Sequence, residues 1–200
     1  MLRLGAVALL AAALGAMIGL LTVPGARDLL LPKVTAPASI GGPFSLVDHT
    51  GRTVSHADFR GRFMVLTFGF TTSPDMAPAL LQLMGAALDR LGPSADRIVP
   101  VFVTLDPERD KQAVLAEWVA RFHPRLVGLT GSPEAVAAMA AAWRMPYRKL
   151  AEPNAPLGYV LEHAALIYLM GPEGSYVAHY GPSISVQELE RGLRRELSGR

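Results

Sequence analysis

A chain of 200 residues, 50% hydrophobic and 18% charged, has room for one globular domain and a short extension but not for two ordinary domains. Its 19 Lys and Arg against 17 Asp and Glu leave it near neutrality, and no long basic run offers nucleic acid a foothold. Cysteine is absent, which excludes disulfides, Cys-ligated zinc, iron–sulfur clusters and thiol nucleophiles.

Leu4 to Val23 is a run of 20 residues without a charge. As a helix it would span roughly 30 Å, the thickness of a bilayer core. The run is longer than a signal-peptide core, and Pro24 spoils the cleavage site that Val23 to Ala26 would otherwise offer. Residues 1–23 are therefore expected to form an uncleaved membrane anchor rather than a signal peptide. Arg3 ahead of the run places the body outside the cytoplasm, on the periplasmic side of the inner membrane in a bacterium, although Arg27 and Lys33 weaken the asymmetry. Residues 24–43 carry Pro24, Pro32, Pro37 and Pro43 with three glycines, and are expected to be a linker. One domain is expected over residues 44–200.

Phe44 to Asp48 alternates like a strand, His49 to Arg52 turns, and Thr53 to Ser55 returns. Phe63 to Phe70 is a nearly continuous apolar run, as in a central strand covered on both faces. Ala79 to Leu91 reads as a helix closed by Gly92-Pro93, and Ile98 to Leu105 as a second central strand. Asp106-Pro107 opens a helix expected over 110–122, with Asp106 and Asp110 capping it. A short strand over 126–129 follows, then a helix capped at Ser132 and running to about Trp143. His163 to Met170 reads as a third long strand. Gly171 to Gly174 makes a hairpin turn to residues 175–180, and Ser185 caps a final amphipathic helix. Strand–helix alternation with an antiparallel closing hairpin outlines an α/β, thioredoxin-like fold with an N-terminal strand pair.

In open α/β sheets reactive groups collect at the carboxyl ends of strands, beside helix N-termini. Here that place is Gly69-Phe70-Thr71-Thr72-Ser73-Pro74-Asp75-Met76-Ala77-Pro78. The segment resembles the metal-binding loop of the SCO/SenC family, G-[YF]-T-x-C-P-D-x-C-P, with Ser73 and Ala77 at the two cysteine positions. Asp106 to Asp110 is similar to the family's D-P-x-R-D segment. Val127 to Gly131 and Tyr147 to Lys149 also fit, and His163 falls on the family's histidine. The resemblance implies a role in copper homeostasis or cytochrome c oxidase assembly, in which two thiolates and the histidine hold copper for delivery and the cysteines exchange with disulfides. Of those ligands only His163 carries over, since a serine hydroxyl is a hard donor and alanine is none.

The expected function is thus a non-redox binding or assembly module without catalytic residues. It would pair with an oxidase subunit or a cysteine-containing relative. No cofactor is expected, and copper would bind weakly if at all. The alternative is a metallochaperone with a substituted copper site, using His163 and the soft thioether of Met76. A Ser73–His163 hydrolase is disfavoured: Glu162 adjoins His163, so on a strand its side chain points to the other face, and there is no nucleophile elbow. His49, His56, His123 and His179 lack ligand spacing and read as surface or turn residues.

Overall fold

Two nearly unbroken apolar segments set the centre of the sheet. Phe63–Gly69 (β3) and Ile98–Thr104 (β4) are buried at every position, a pattern that fits inner strands covered on both faces. In the computed structural model, which describes residues 40–155 and 158–199, β3 and β4 pair in parallel from Phe63↔Ile98 to Gly69↔Thr104. Val127–Thr130 (β5) adds in parallel to β4. The N-terminal pair, Ser45–Asp48 (β1) and Thr53–Ser55 (β2), joins antiparallel to β5 through β1. On the other flank Ile167–Met170 (β8) runs antiparallel to β3, and Tyr176–Tyr180 (β9) closes the edge. The strand order is β2-β1-β5-β4-β3-β8-β9.

Alternation along β3 divides the core between the two faces of the sheet. Met64, Leu66 and Phe68 pack with Val136, Met139 and Trp143 of Pro133–Ala142 (α3) and the residue after it. Phe63 and Val65 pack on the other face against Met76–Leu91 (α1), Gln112–Val119 (α2) and Val186–Ser198 (α4). The expected caps are present. Ser132 accepts from Ala135 N–H, and Ser185 and Glu188 form a reciprocal capping box. Gly174 takes φ +76° in the β8–β9 turn, a left-handed conformation that glycine enters without a Cβ clash.

Three elements differ from the sequence expectation. α1 begins at Met76 rather than Ala79. Pro78 lies in its first turn, where backbone N–H groups have no intrahelical acceptor, so the proline sacrifices no bond. α2 is shorter than 110–122: the chain is still turning at Asp110, whose N–H donates to Asp106 O at 2.8 Å, and after Val119 it unwinds into turns. The expected strand from His163 to Met170 is two strands in two sheets. Tyr159–His163 (β7) pairs antiparallel with Tyr147–Ala151 (β6) in a separate hairpin, registered from Tyr147↔His163 to Ala151↔Tyr159. The chain then crosses at 164–166, where Leu166 O accepts from Thr67 Oγ1 at 2.9 Å, and enters the main sheet as β8.

The expected anchor over residues 1–23 and the linker up to residue 39 lie outside the described residues. Residues 40–43 are described, and Gly41 N–H donates to Ala142 O at 3.0 Å. No helix among the described residues is long and apolar enough to cross a membrane.

Candidate functional site

Because β3 and β4 run parallel and in register, the loops that follow them leave from one edge of the sheet. Leu105 N–H donates to Gly69 O at 2.7 Å and holds them side by side. Asp110, fully buried, joins the two. Its Oδ2 accepts from Thr71 N–H at 2.9 Å and from Thr104 Oγ1 at 2.6 Å, and its Oδ1 accepts from Thr71 Oγ1 at 2.5 Å. Its backbone carbonyl takes a further bond from Thr130 Oγ1 of β5, at 3.0 Å. Burial pushes the Asp110 carboxyl above its ordinary pKa; the threonine bonds oppose that shift and the nearby Asp106 charge adds to it.

Asp106, also fully buried, reaches the other half of the site. Tyr159 Oη, at the start of β7, donates to its Oδ1 at 2.7 Å, and Arg109 Nε donates to its Oδ2. The Arg109 guanidinium lies 4.1 Å from the centre of the Tyr159 ring, and Lys149 Nζ 4.6 Å from it. Burial, together with the bond to Asp106, raises the Tyr159 phenol to about 12. Asp106 and Asp110 are therefore not helix caps. The N-cap of α2 is Lys111, without a side-chain bond, and the two carboxylates clamp the site loop and the β6–β7 hairpin onto the sheet.

Between that loop and that hairpin lies an open cleft of about 680 Å³. Phe70, Ser73 and Met76 line it from one side, and Tyr147, Leu161 and His163 from the other. Ser73, Met76 and His163, far apart in sequence, thus share one cleft. His163 Nδ1 lies 2.8 Å from Ala164 O. A carbonyl only accepts, so Nδ1 is the donor in this contact. The Phe70 ring meets the imidazole edge-on at 5.7 Å. Met76 is 41% exposed. Ser73 is buried, and its Oγ accepts from Ala77 N–H at 3.3 Å.

Ala77 behaves differently from the other site positions. It is fully buried in the core with Leu80 and Leu81 and does not line the cleft. A Cβ on Gly69 would stand 3.0 Å from its methyl, so the glycine makes the room that the helix start fills. Glu162 is exposed and pairs with Arg148 at 2.7 Å, and both line the cleft with His163, so strand alternation does not take Glu162 off the site as expected. Among the described residues no three His, Asp or Glu side chains gather as a metal cluster. The soft and borderline donors on the cleft are one imidazole and one thioether, a set that does not match two thiolates and a histidine.

Sequence reasoning missed the roles of Thr71, Asp106, Asp110 and Tyr159. Their signal was present: polar residues directly after two apolar strands, at the carboxyl edge where sites form. Helix capping offered a local explanation for both aspartates and hid the distant one.

The SCO1/SenC family profile matches residues 32–198. The SCO1 homolog 1, mitochondrial, of Arabidopsis thaliana is 40% identical over 161 residues, covering 80% of this chain and 48% of that protein. The mitochondrial SCO2 homolog of Mus musculus is 39% identical over 164 residues, covering 80% and 64%. The chain thus spans between about half and two thirds of the length of these relatives. Arabidopsis thaliana ScoI, solved with copper bound, superposes with a TM-score of 0.76 at 39% identity over 81% of this chain and all of that one. Yeast Sco1 with copper bound gives 0.73 at 32% identity, covering 81% and 90%. With the profile spanning the whole described fold and relatives of this similarity, the chain belongs to the SCO1/SenC family.

Proposed function

We propose that this chain is a SCO-type assembly module that docks a partner at its cleft without thiolate-bound copper and without disulfide exchange. The observation that carries the reading is the contrast at the site. His163 lines a cleft held by the Asp106 and Asp110 clamp, while the positions to which the family resemblance assigns thiolates are Ser73, engaged with Ala77 N–H, and Ala77, whose methyl is buried in the core. By family resemblance the partner is an oxidase subunit or a cysteine-containing relative, and Leu4 to Val23 keeps the module at the membrane with its body outside the cytoplasm. The role is one of binding, with no reaction of its own.

Two measurements test this. Competition against a Cu(I) chelator should show weak binding by the native chain and tighter binding by Ser73→Cys, which puts a thiolate on the cleft that His163 and Met76 already line. Equal affinity in both proteins would refute the reading. Second, co-purification with an oxidase subunit or a cysteine-bearing relative from solubilised membranes should be lost in Met76→Asp, an exposed position on the cleft. Unchanged association would place the partner elsewhere.

A further inference from the structure

A second cavity, of about 140 Å³, lies at the other end of β3 and shares no lining residue with the cleft. Its wall comes from Met64 of β3, the turn that carries His56, Arg60 and Arg62, and Trp143 after α3. Two of its lining residues have buried ring nitrogens without a hydrogen-bond partner among the described residues: Trp143 Nε1 and His56 Nδ1. Trp143 is 1% exposed. Its Cε2, the carbon bonded to Nε1, would lie 3.9 Å from a Cβ on Gly41, the neighbour of Gly42, which lines the cavity. Buried donors are nearly always paired, and leaving one unmade is costly. Two such nitrogens, on two residues that line one cavity, point to a ligand that supplies acceptors.

Charge and size narrow the class. Arg60 and Arg62 line the cavity and no acidic residue does. Arg60 is fixed there by donating to Glu173 O at 2.8 Å. Phe44, Phe59 and Met170 supply apolar walls. At about 30 Å³ per water, the space equals four or five waters, or a carboxylate of two to four carbons. We propose that this cavity binds a short-chain aliphatic carboxylate, whose oxygens accept from Trp143 Nε1–H and His56 beside the two arginines while its tail lies on the phenylalanines and methionines. Indole N–H is only a donor, and imidazole donates from Nδ1 in one tautomer or when protonated, so both suit an oxyanion.

The test uses the full chain in detergent micelles, uniformly labelled with nitrogen-15, titrated with butyrate. The chain has two tryptophans, so two indole N–H signals report, and Trp118→Phe assigns them. The Trp143 signal should move saturably with butyrate while that of Trp118 stays. Butanol and butylammonium at the same concentration should leave both unmoved. His56→Ala and Arg62→Gln should each weaken butyrate binding about 10-fold, the loss of one charge-assisted contact, with the remaining spectrum showing each variant folded. A Trp143 signal that does not saturate, an equal response to butanol, or undiminished binding in folded His56→Ala would overturn the proposal and leave the cavity to water.

Discussion

Asp110 offers a direct test of the clamp. Replacing it with alanine removes the acceptor for Thr71 N–H, Thr71 Oγ1 and Thr104 Oγ1 in one step. The two hydroxyls can rotate to new partners, but the Thr71 N–H is fixed by the backbone. Hydrogen bonds to a charged group contribute about 1.5–3 kcal/mol each, and relief of carboxylate burial offsets part of their sum, so Asp110→Ala should cost about 3 kcal/mol. Asparagine can keep its oxygen at the Oδ2 position, accepting from Thr71 N–H and Thr104, and donate to Thr71 Oγ1 from the other side. It should cost about 1 kcal/mol. The pH dependence has a definite sign. Burial raises the folded pKa above 3.8, so stability from this group is fully present below the unfolded value and is lost as pH rises through the folded one. Asparagine does not titrate, so the gap between the native chain and Asp110→Asn should narrow as pH rises through that window. Urea melts of all three proteins across a pH series, with amide exchange at Thr71, provide the assay. Equal losses for alanine and asparagine, or a gap that widens with pH, would show that Asp110 does not hold the loop as described.

Phe68→Ala should cost about 3–5 kcal/mol in thermal or urea melts, because the ring is fully buried and packs edge-on against Trp143 at 6.0 Å and Tyr168 at 6.1 Å. His163→Ala should cost only about 1 kcal/mol, the value of one hydrogen bond, and a larger loss would give the histidine a structural role beyond the bond to Ala164 O. Gly128→Ala should destabilise by about 1–3 kcal/mol, since its Cβ would stand 2.7 Å from Leu115 Cγ and 2.8 Å from Val119 Cγ1; a neutral result would mean that α2 lifts off β5 without cost.

The central strands and the α1, α3 and α4 helices were legible because each advertises itself locally. β3 and β4 are long and apolar, and the Ser132 and Ser185 caps sit where periodicity begins. The β6–β7 hairpin was not. Tyr147 to Ala151 is charged and mostly exposed, and its reason to be extended is a partner strand rather than a core. The break at 164–166 was hidden because Ala164, Ala165 and Leu166 are as apolar as the strand after them, with no glycine or proline to mark the change of sheet. The loop motif and His163 marked residues that the fold brings to one cleft. The clamp was not, because Asp110 meets Thr71 across 39 residues and Asp106 meets Tyr159 across 53.

The strand order carries a consequence for how this chain acquires its fold as it is synthesised. β1 finds its inner neighbour only when Thr130 arrives to face Val47, and the second edge of β3 stays bare until Ile167 reaches Thr67. Contacts so distant in sequence close slowly, and exposed strand edges meanwhile invite pairing with other chains. A chain stopped between β5 and β8 would hold a parallel core with one flank naked. Such fragments should collect as aggregates, while release of β8 and β9 lets the same sequence close its sheet. Completion of the sheet is thus gated by β8, because β3 keeps one edge bare until that strand is made.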